Sequence, residues 1–313
     1  MKTSVTQGRR EDSVLFFSSL FAFLFILLFP QRASDGVRTG LILCSRAVIP
    51  AVFPSMILTE LLFSYPFGFL EKTVGKFFSK LFRISPRGVV SYLSGLLSGF
   101  PIGAKTVCED VRCGYLSPEE GERLLVFCNN TGPAFLVGGV GVGLFGSARV
   151  GWFLYLLQIP VSIVVGIFNR PKESAPQRTV TDHRVHSHDP VGAIARAAHS
   201  CVSITGFVCF FSVLSSLLSS FLVNPNANAL LSSFLEVGSG SSRAAALTAP
   251  FPALPITAFA VCFSGFSVHF QTISLLSPLG IRPERYLIGK TVSGVIAFFL
   301  TFLLTLDKSF FLW

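Results

Sequence analysis

Charge is what this chain has least of. Only 13% of its 313 residues are Asp, Glu, Lys or Arg, about half the roughly 25% typical of a soluble domain. Hydrophobic residues make up 51%, Phe alone fills 34 positions, and the mean hydropathy is +0.65. A water-soluble globular protein is therefore excluded, and an all-α integral membrane protein of several spans is expected. Motifs of soluble chemistry are missing too. The sequence contains no CxxC, no nucleotide-binding P-loop, no dinucleotide fingerprint and no HExxH. Gly138-Gly139-Val140-Gly141-Val142-Gly143 is glycine-rich but lacks the Lys-Ser/Thr that a phosphate loop needs, and its apolar setting suits close helix packing. The seven cysteines are odd in number and lie mainly in apolar runs, so they read as small hydrophobes. No acid, base and nucleophile constellation is legible, so no enzyme and no cofactor are expected.

The net charge of +9 does not indicate nucleic acid. The basic residues sit in short segments between apolar runs, where they set topology beside anionic lipid. Lys2, Arg9 and Arg10 precede an apolar run from Val14 to Phe29. A signal peptide also begins this way, but the run is long and Gln31-Arg32-Ala33-Ser34-Asp35 is a poor cleavage site. A retained first helix with a cytoplasmic N-terminus is expected, in the cell (inner) membrane. Val37 to Phe63 follows, interrupted by Pro50 and Pro54. Lysines 72, 76 and 80 share one face of segment 69–83, which reads as an interfacial amphipathic helix. Val150 to Phe168, Val202 to Val223 and Tyr286 to Leu306 read as spans, and Asn224 to Ser242 as a small-residue linker. The expected organisation is a tail and first helix at 1–36, one half at 37–168, a hydrophilic loop at 169–190 and a second half at 191–313. In that loop His183, His186 and His188 look metal-like, but a solvated loop offers no scaffold, and no metal site is assigned.

The most specific local signal is a repeated tripeptide. Ser98-Gly99-Phe100 begins a polar break that includes Lys105 and Thr106, and Ser264-Gly265-Phe266 begins one that includes His269, Gln271 and Thr272. Ser, Gly, Phe and Thr recur at an offset of 166 residues, as do Gly114 and Gly280. Gly88 to Phe100 holds 13 residues, too few to span, and fits a re-entrant half-helix. Interrupted segments in matching positions of two halves point to a transporter-type binding site near mid-membrane. The competing reading is helix packing through small residues. An odd number of elements between the copies would permit an inverted repeat.

Asn129-Asn130-Thr131 forms a second polar break, with paired amides suited to a base or sugar edge, or else to interhelical hydrogen bonds. Glu60 and Glu236 are acids near apolar runs and are candidates for coupling, unless they lie solvated at a boundary. Ser117-Pro118-Glu119-Glu120 has the form of a helix start.

Several of these blocks belong together. Leu97-Ser98-Gly99-Phe100-Pro101-Ile102-Gly103-Ala104-Lys105, Gly114-Tyr115-Leu116-Ser117, Glu122-Arg123-Leu124-Leu125 and Phe127-Cys128-Asn129-Asn130-Thr131-Gly132-Pro133 resemble the sporulation integral membrane protein YlbJ family. So do Gly206-Phe207, Phe211-Ser212-Val213-Leu214, Leu235-Glu236-Val237 and the second Ser-Gly-Phe block. The resemblance runs from about residue 40 to 305 and is weakest at 169–190. It implies a multi-pass inner-membrane protein of the nucleoside-recognition (Gate) domain type, connected with sporulation and spore cortex formation. It implies a nucleoside-like or other small polar ligand only loosely.

The resulting expectation is a polytopic helical bundle with two Gate-like halves and broken helices near mid-membrane. A small polar solute would bind between them at Ser98, Gly99, Lys105, Thr106, Asn129, Asn130, Thr131, Ser264, Gly265, His269 and Gln271. Lipid is the other expected partner, a homo-oligomer is left open, and nucleic acid is excluded. The alternative is a non-transporting scaffold that recruits sporulation or envelope partners through 69–83 and 105–123.

Overall fold

The computed structural model describes residues 2–63, 75–172, 189–247 and 250–306. The described chain is helical, without a strand. The histidines of the central loop and residues 69–74 of the expected amphipathic segment lie outside these residues. In chain order the helices are α1 (Lys2–Leu28), α2 (Pro30–Leu43), α3 (Ile49–Phe63), α4 (Lys76–Phe82), α5 (Pro86–Ser98), α6 (Ile102–Arg112) and α7 (Pro118–Cys128). They continue with α8 (Ala148–Phe168), α9 (Pro190–Ser219), α10 (Pro225–Leu235), α11 (Val237–Ala245), α12 (Pro250–Phe263), α13 (Gly265–Leu276) and α14 (Glu284–Leu306).

Five apolar stretches are long enough to cross a membrane: Pro30–Leu62, Ala148–Phe168, Pro190–Ser219, Pro252–Leu279 and Glu284–Leu306. At about 1.5 Å per residue even the shortest covers a hydrocarbon core of about 30 Å. The surface bears this out. Phe16, Phe21, Leu58, Trp152, Val202, Phe299 and Leu303 are exposed, whereas Ser91, Asn129, Glu236, Thr257, His269 and Lys290 are buried. Apolar outside and polar inside is the arrangement a bilayer demands. The Pro252–Leu279 stretch is the most internal, with 89% of its apolar window buried.

Proline and glycine shape the bundle. Cys44–Val48 is a π-turn joining α2 to α3. It precedes Pro50, which has no N–H to continue the ladder, and the backbone widens there. Gly36 and Gly40 lay α2 on α9, since a Cβ at either would meet the Cα of Val213 or Cys209 at 2.6 and 2.8 Å. Gly141 and Gly151 pack closely in the same way, within 2.7 Å. The polar segment at 224–242 departs from the expected linker: it contains α10 and most of α11. Its residues are small and its hydrophobic pattern weak, but Asn224 accepts from the N–H groups of Asn226 and Ala227 and caps α10. The span expected at Val202–Val223 is α9, which starts at Pro190 and ends at Ser219.

Candidate functional site

Both Ser-Gly-Phe copies lie at helix breaks. The first ends α5 at Gly99 (φ 80°), and α6 begins after the cis Phe100–Pro101 peptide. The chain folds back there, because α5 packs on α6, and Arg87 pairs with Asp110 at 2.8 Å across the far end of the hairpin. Helices of 13 and 11 residues reach only about 20 and 17 Å, so neither is long enough to span a bilayer by itself. The second copy separates α12 from α13 with two left-handed residues, Ser264 (φ 79°) and Gly265 (φ 72°). Here α12 and α13 form no hairpin and share one apolar stretch long enough to span. The two copies thus differ in backbone course as well as in side chains.

Each break crosses a second one. The first meets the break that follows α7: the Phe100 N–H donates to the Asn130 carbonyl at 2.7 Å. A Cβ on Gly95 would lie 1.8 Å from the Cys128 oxygen, on Gly99 2.2 Å from Gly132 N, and on Gly132 2.5 Å from the Ser98 oxygen. Only glycines permit backbones to touch so closely. The second crosses the break between α10 and α11. There Glu236 is extended (φ −149°, ψ 125°), and a Cβ on Gly265 would lie 3.2 Å from the Glu236 Cα.

Helix breaks strand backbone groups, and polar side chains satisfy them. Thr131 Oγ1 donates to the Val261 carbonyl at 2.7 Å, a group that the break at Ser264 releases. Gln158 clasps the Thr131 peptide from both sides: its Oε1 accepts from Thr131 N at 3.1 Å and its Nε2 donates to Thr131 O at 2.6 Å. Lys290 Nζ donates to the Asn129 carbonyl at 3.0 Å. Asn129 Nδ2 donates to Thr272 Oγ1 at 3.0 Å and to Tyr286 OH at 3.2 Å. The tyrosine hydroxyl donates to Thr272 Oγ1 at 3.3 Å and meets His269 Nδ1 at 2.9 Å. In either tautomer of His269, the second ring nitrogen, Nε2, is left to find a partner of its own. That Nε2 is buried without a partner, as are Asn129 Oδ1 and Ser267 Oγ. Three orphaned polar atoms beside crossing breaks call for water or a ligand.

A cavity opens beside this network. It is lined by apolar residues such as Val48, Phe135 and Ile204 and by the polar Glu236, Ser267 and Gln271. Its void space is about 410 Å³ including the mouth, but a water molecule's centre reaches only about 20 Å³ of it. Glu236 is fully buried, and its carboxylate accepts from the N–H groups of Gly238 (2.9 Å) and Ser239, capping α11.

The expected site residues therefore divide. Asn129 and His269 share the buried network, and Glu236 and Gln271 line the cavity. Asn130 and Thr131 hold the crossing, Asn130 Nδ2 donating to the Phe127 carbonyl at 2.8 Å. Ser98 donates to Thr59 Oγ1 beside Gly99, and Ser264 Oγ turns back to the Val261 carbonyl at 3.5 Å. Lys105 and Thr106 are half-buried on α6 and do not line the cavity; Thr106 donates to the Ile102 carbonyl at 2.9 Å. Glu60 stands apart, paired with Arg196 at 2.5 Å and partly exposed. Sequence reasoning missed Gln158, Tyr286 and Lys290. Lys290 and Gln158 carried a usable signal, since each is a strongly polar residue inside an apolar span.

No family model matches the chain, and no solved structure matches it. The chain is similar to "Sporulation integral membrane protein YlbJ" of Bacillus subtilis (strain 168): 28% of residues are identical over 330 aligned positions, covering 91% of this chain and 81% of that protein.

Proposed function

We propose that this chain, similar along most of its length to a YlbJ sporulation integral membrane protein, belongs with that family and has a non-enzymatic, carrier-like role. The cargo is a small polar solute, nucleoside-like or of another kind, moved across the cell membrane during sporulation in a step that serves the spore cortex. One observation carries this reading: two broken helices cross two further breaks inside the bundle and leave Asn129 Oδ1, His269 Nε2 and Ser267 Oγ buried and unpartnered. Breaks supply hinges and oriented peptide dipoles, and unpartnered polar atoms supply recognition. A solute larger than water enters only if the crossing breaks part.

A thermal-shift screen of the detergent-purified protein against nucleosides, peptidoglycan precursors and small organic acids tests this. At least one compound should stabilise the protein saturably, and Asn129→Leu should weaken that response. No response, together with an intact sporulation phenotype after changing Asn130 and Ser264, would sink the reading. The narrowness of the cavity favours the competing scaffold role, in which substitutions at 105–123 disturb sporulation and those at the breaks do not.

A further inference from the structure

We propose that Glu236, Ser267 and Gln271 form a binding site for a monovalent metal cation, of which sodium is the expected occupant. The inference rests on the carrier reading for its purpose, as a coupling ion, but the binding can be read separately. Glu236 is 0% exposed, and no described Lys, Arg or His lies within ion-pair distance of it. Cys44 and Cys209, which sense its charge, are thiols and supply no counter-charge. A buried carboxylate without a counter-charge is costly unless it is protonated or neutralised. Burial pushes the Glu236 carboxyl above its ordinary range, so a proton competes for the site. The N–H groups of Gly238 and Ser239 each take a different carboxylate oxygen and work the other way, toward the ionised form that a cation needs. Each oxygen has a further lone pair beyond these bonds, and Glu236 lines the cavity.

A second, independent observation points to an occupant. Ser267 is 1% exposed, lines the same cavity, and its hydroxyl has no partner. Gln271 lies four residues on, on the same face of α13, and also lines the cavity. Carboxylate, hydroxyl and amide oxygens are the ligands hard cations choose. One carboxylate matches one positive charge. The water-reachable space of about 20 Å³ suits a single small ion, and a nucleoside does not fit in it. The Glu236 break crosses the start of α13 at Gly265, and Glu236, Ser267 and Gln271 line one cavity there.

Binding of radiolabelled sodium to the full-length detergent-purified protein, in choline chloride of fixed ionic strength, tests the proposal. Saturable binding is expected. Ser267→Ala should weaken it about tenfold, the loss expected for one oxygen contact to a charge, with sodium-free thermal stability unchanged because that hydroxyl has no protein partner. Glu236→Gln should abolish it. If that variant fails to fold because α11 loses its cap, Ser267→Ala still decides. Absence of saturable binding, equal displacement by choline, or binding indifferent to Ser267→Ala overturns the site. Sodium binding without solute flux would leave the site standing and remove the carrier reading. Flux without sodium binding would do the reverse.

Discussion

Gly95→Ala is the sharpest probe of the crossing. A Cβ at this position would stand 1.8 Å from the Cys128 carbonyl oxygen and 2.9 Å from its carbon. Carbon and oxygen in contact stand about 3.3 Å apart, so roughly 1.5 Å must be found. The obstacle is backbone, and it is pinned: Asn130 N donates to the same oxygen at 3.0 Å, and Lys290 holds the next carbonyl at 3.0 Å. Overpacking of a rigid site costs about 3 kcal/mol, and the better helix propensity of Ala returns about 1 kcal/mol. A net loss of about 2 kcal/mol lowers the unfolding midpoint by roughly 3 °C at this chain size. Gly206→Ala is the matched control. Gly206 lies inside α9 with nothing within 4 Å of a new Cβ, so propensity alone acts and the midpoint should rise by about 1–2 °C. Thermal unfolding of both variants in one detergent gives the comparison. If Gly95→Ala is as stable as Gly206→Ala, the backbone contact at Cys128 is wrong.

Gln158→Leu leaves the N–H and C=O of Thr131 buried and unpaired, and should cost about 2–5 kcal/mol, read as a lowered unfolding midpoint. Tyr286→Phe removes the hydroxyl shared by Asn129, Thr272 and His269 and should cost about 1–3 kcal/mol in the same assay. Glu60→Gln, at a partly exposed pair, should cost about 1 kcal/mol or less, and a larger loss would mean that the Arg196 pair is buried in the membrane-embedded protein. Cys113 is the exposed thiol among seven, and a maleimide should label it before the others unless α6 and α7 are covered in the membrane.

Much of the fold was legible because hydropathy and chain breakers act locally. Long apolar runs marked the spans, and Ser98-Gly99, Asn129 to Pro133 and Ser264-Gly265 marked three of the breaks. Ser117 caps α7 as its spacing predicts, accepting from Glu120 N at 3.2 Å. The fourth break, at Glu236, was hidden because Asn, Ala, Ser and Gly fill most of α10 and α11, and their helicity comes from caps and burial. Partnerships were less legible still. Asn129 meets Tyr286 across 157 residues and Lys290 across 161, and no local pattern encodes such a meeting. The difference in backbone course between the two Ser-Gly-Phe copies was equally invisible, since the same tripeptide ends a hairpin in one and interrupts a through-going stretch in the other.

The ammonium of Lys290 on the carbonyl of Asn129 has a mechanical consequence. It fastens the last helix of the chain to a joint in its first half, while Thr131 fastens that joint to the released carbonyl of Val261. The joint, α12 and α14 are therefore tied together across chain order, and the division of the molecule into mechanical parts need not follow the division of its sequence into halves.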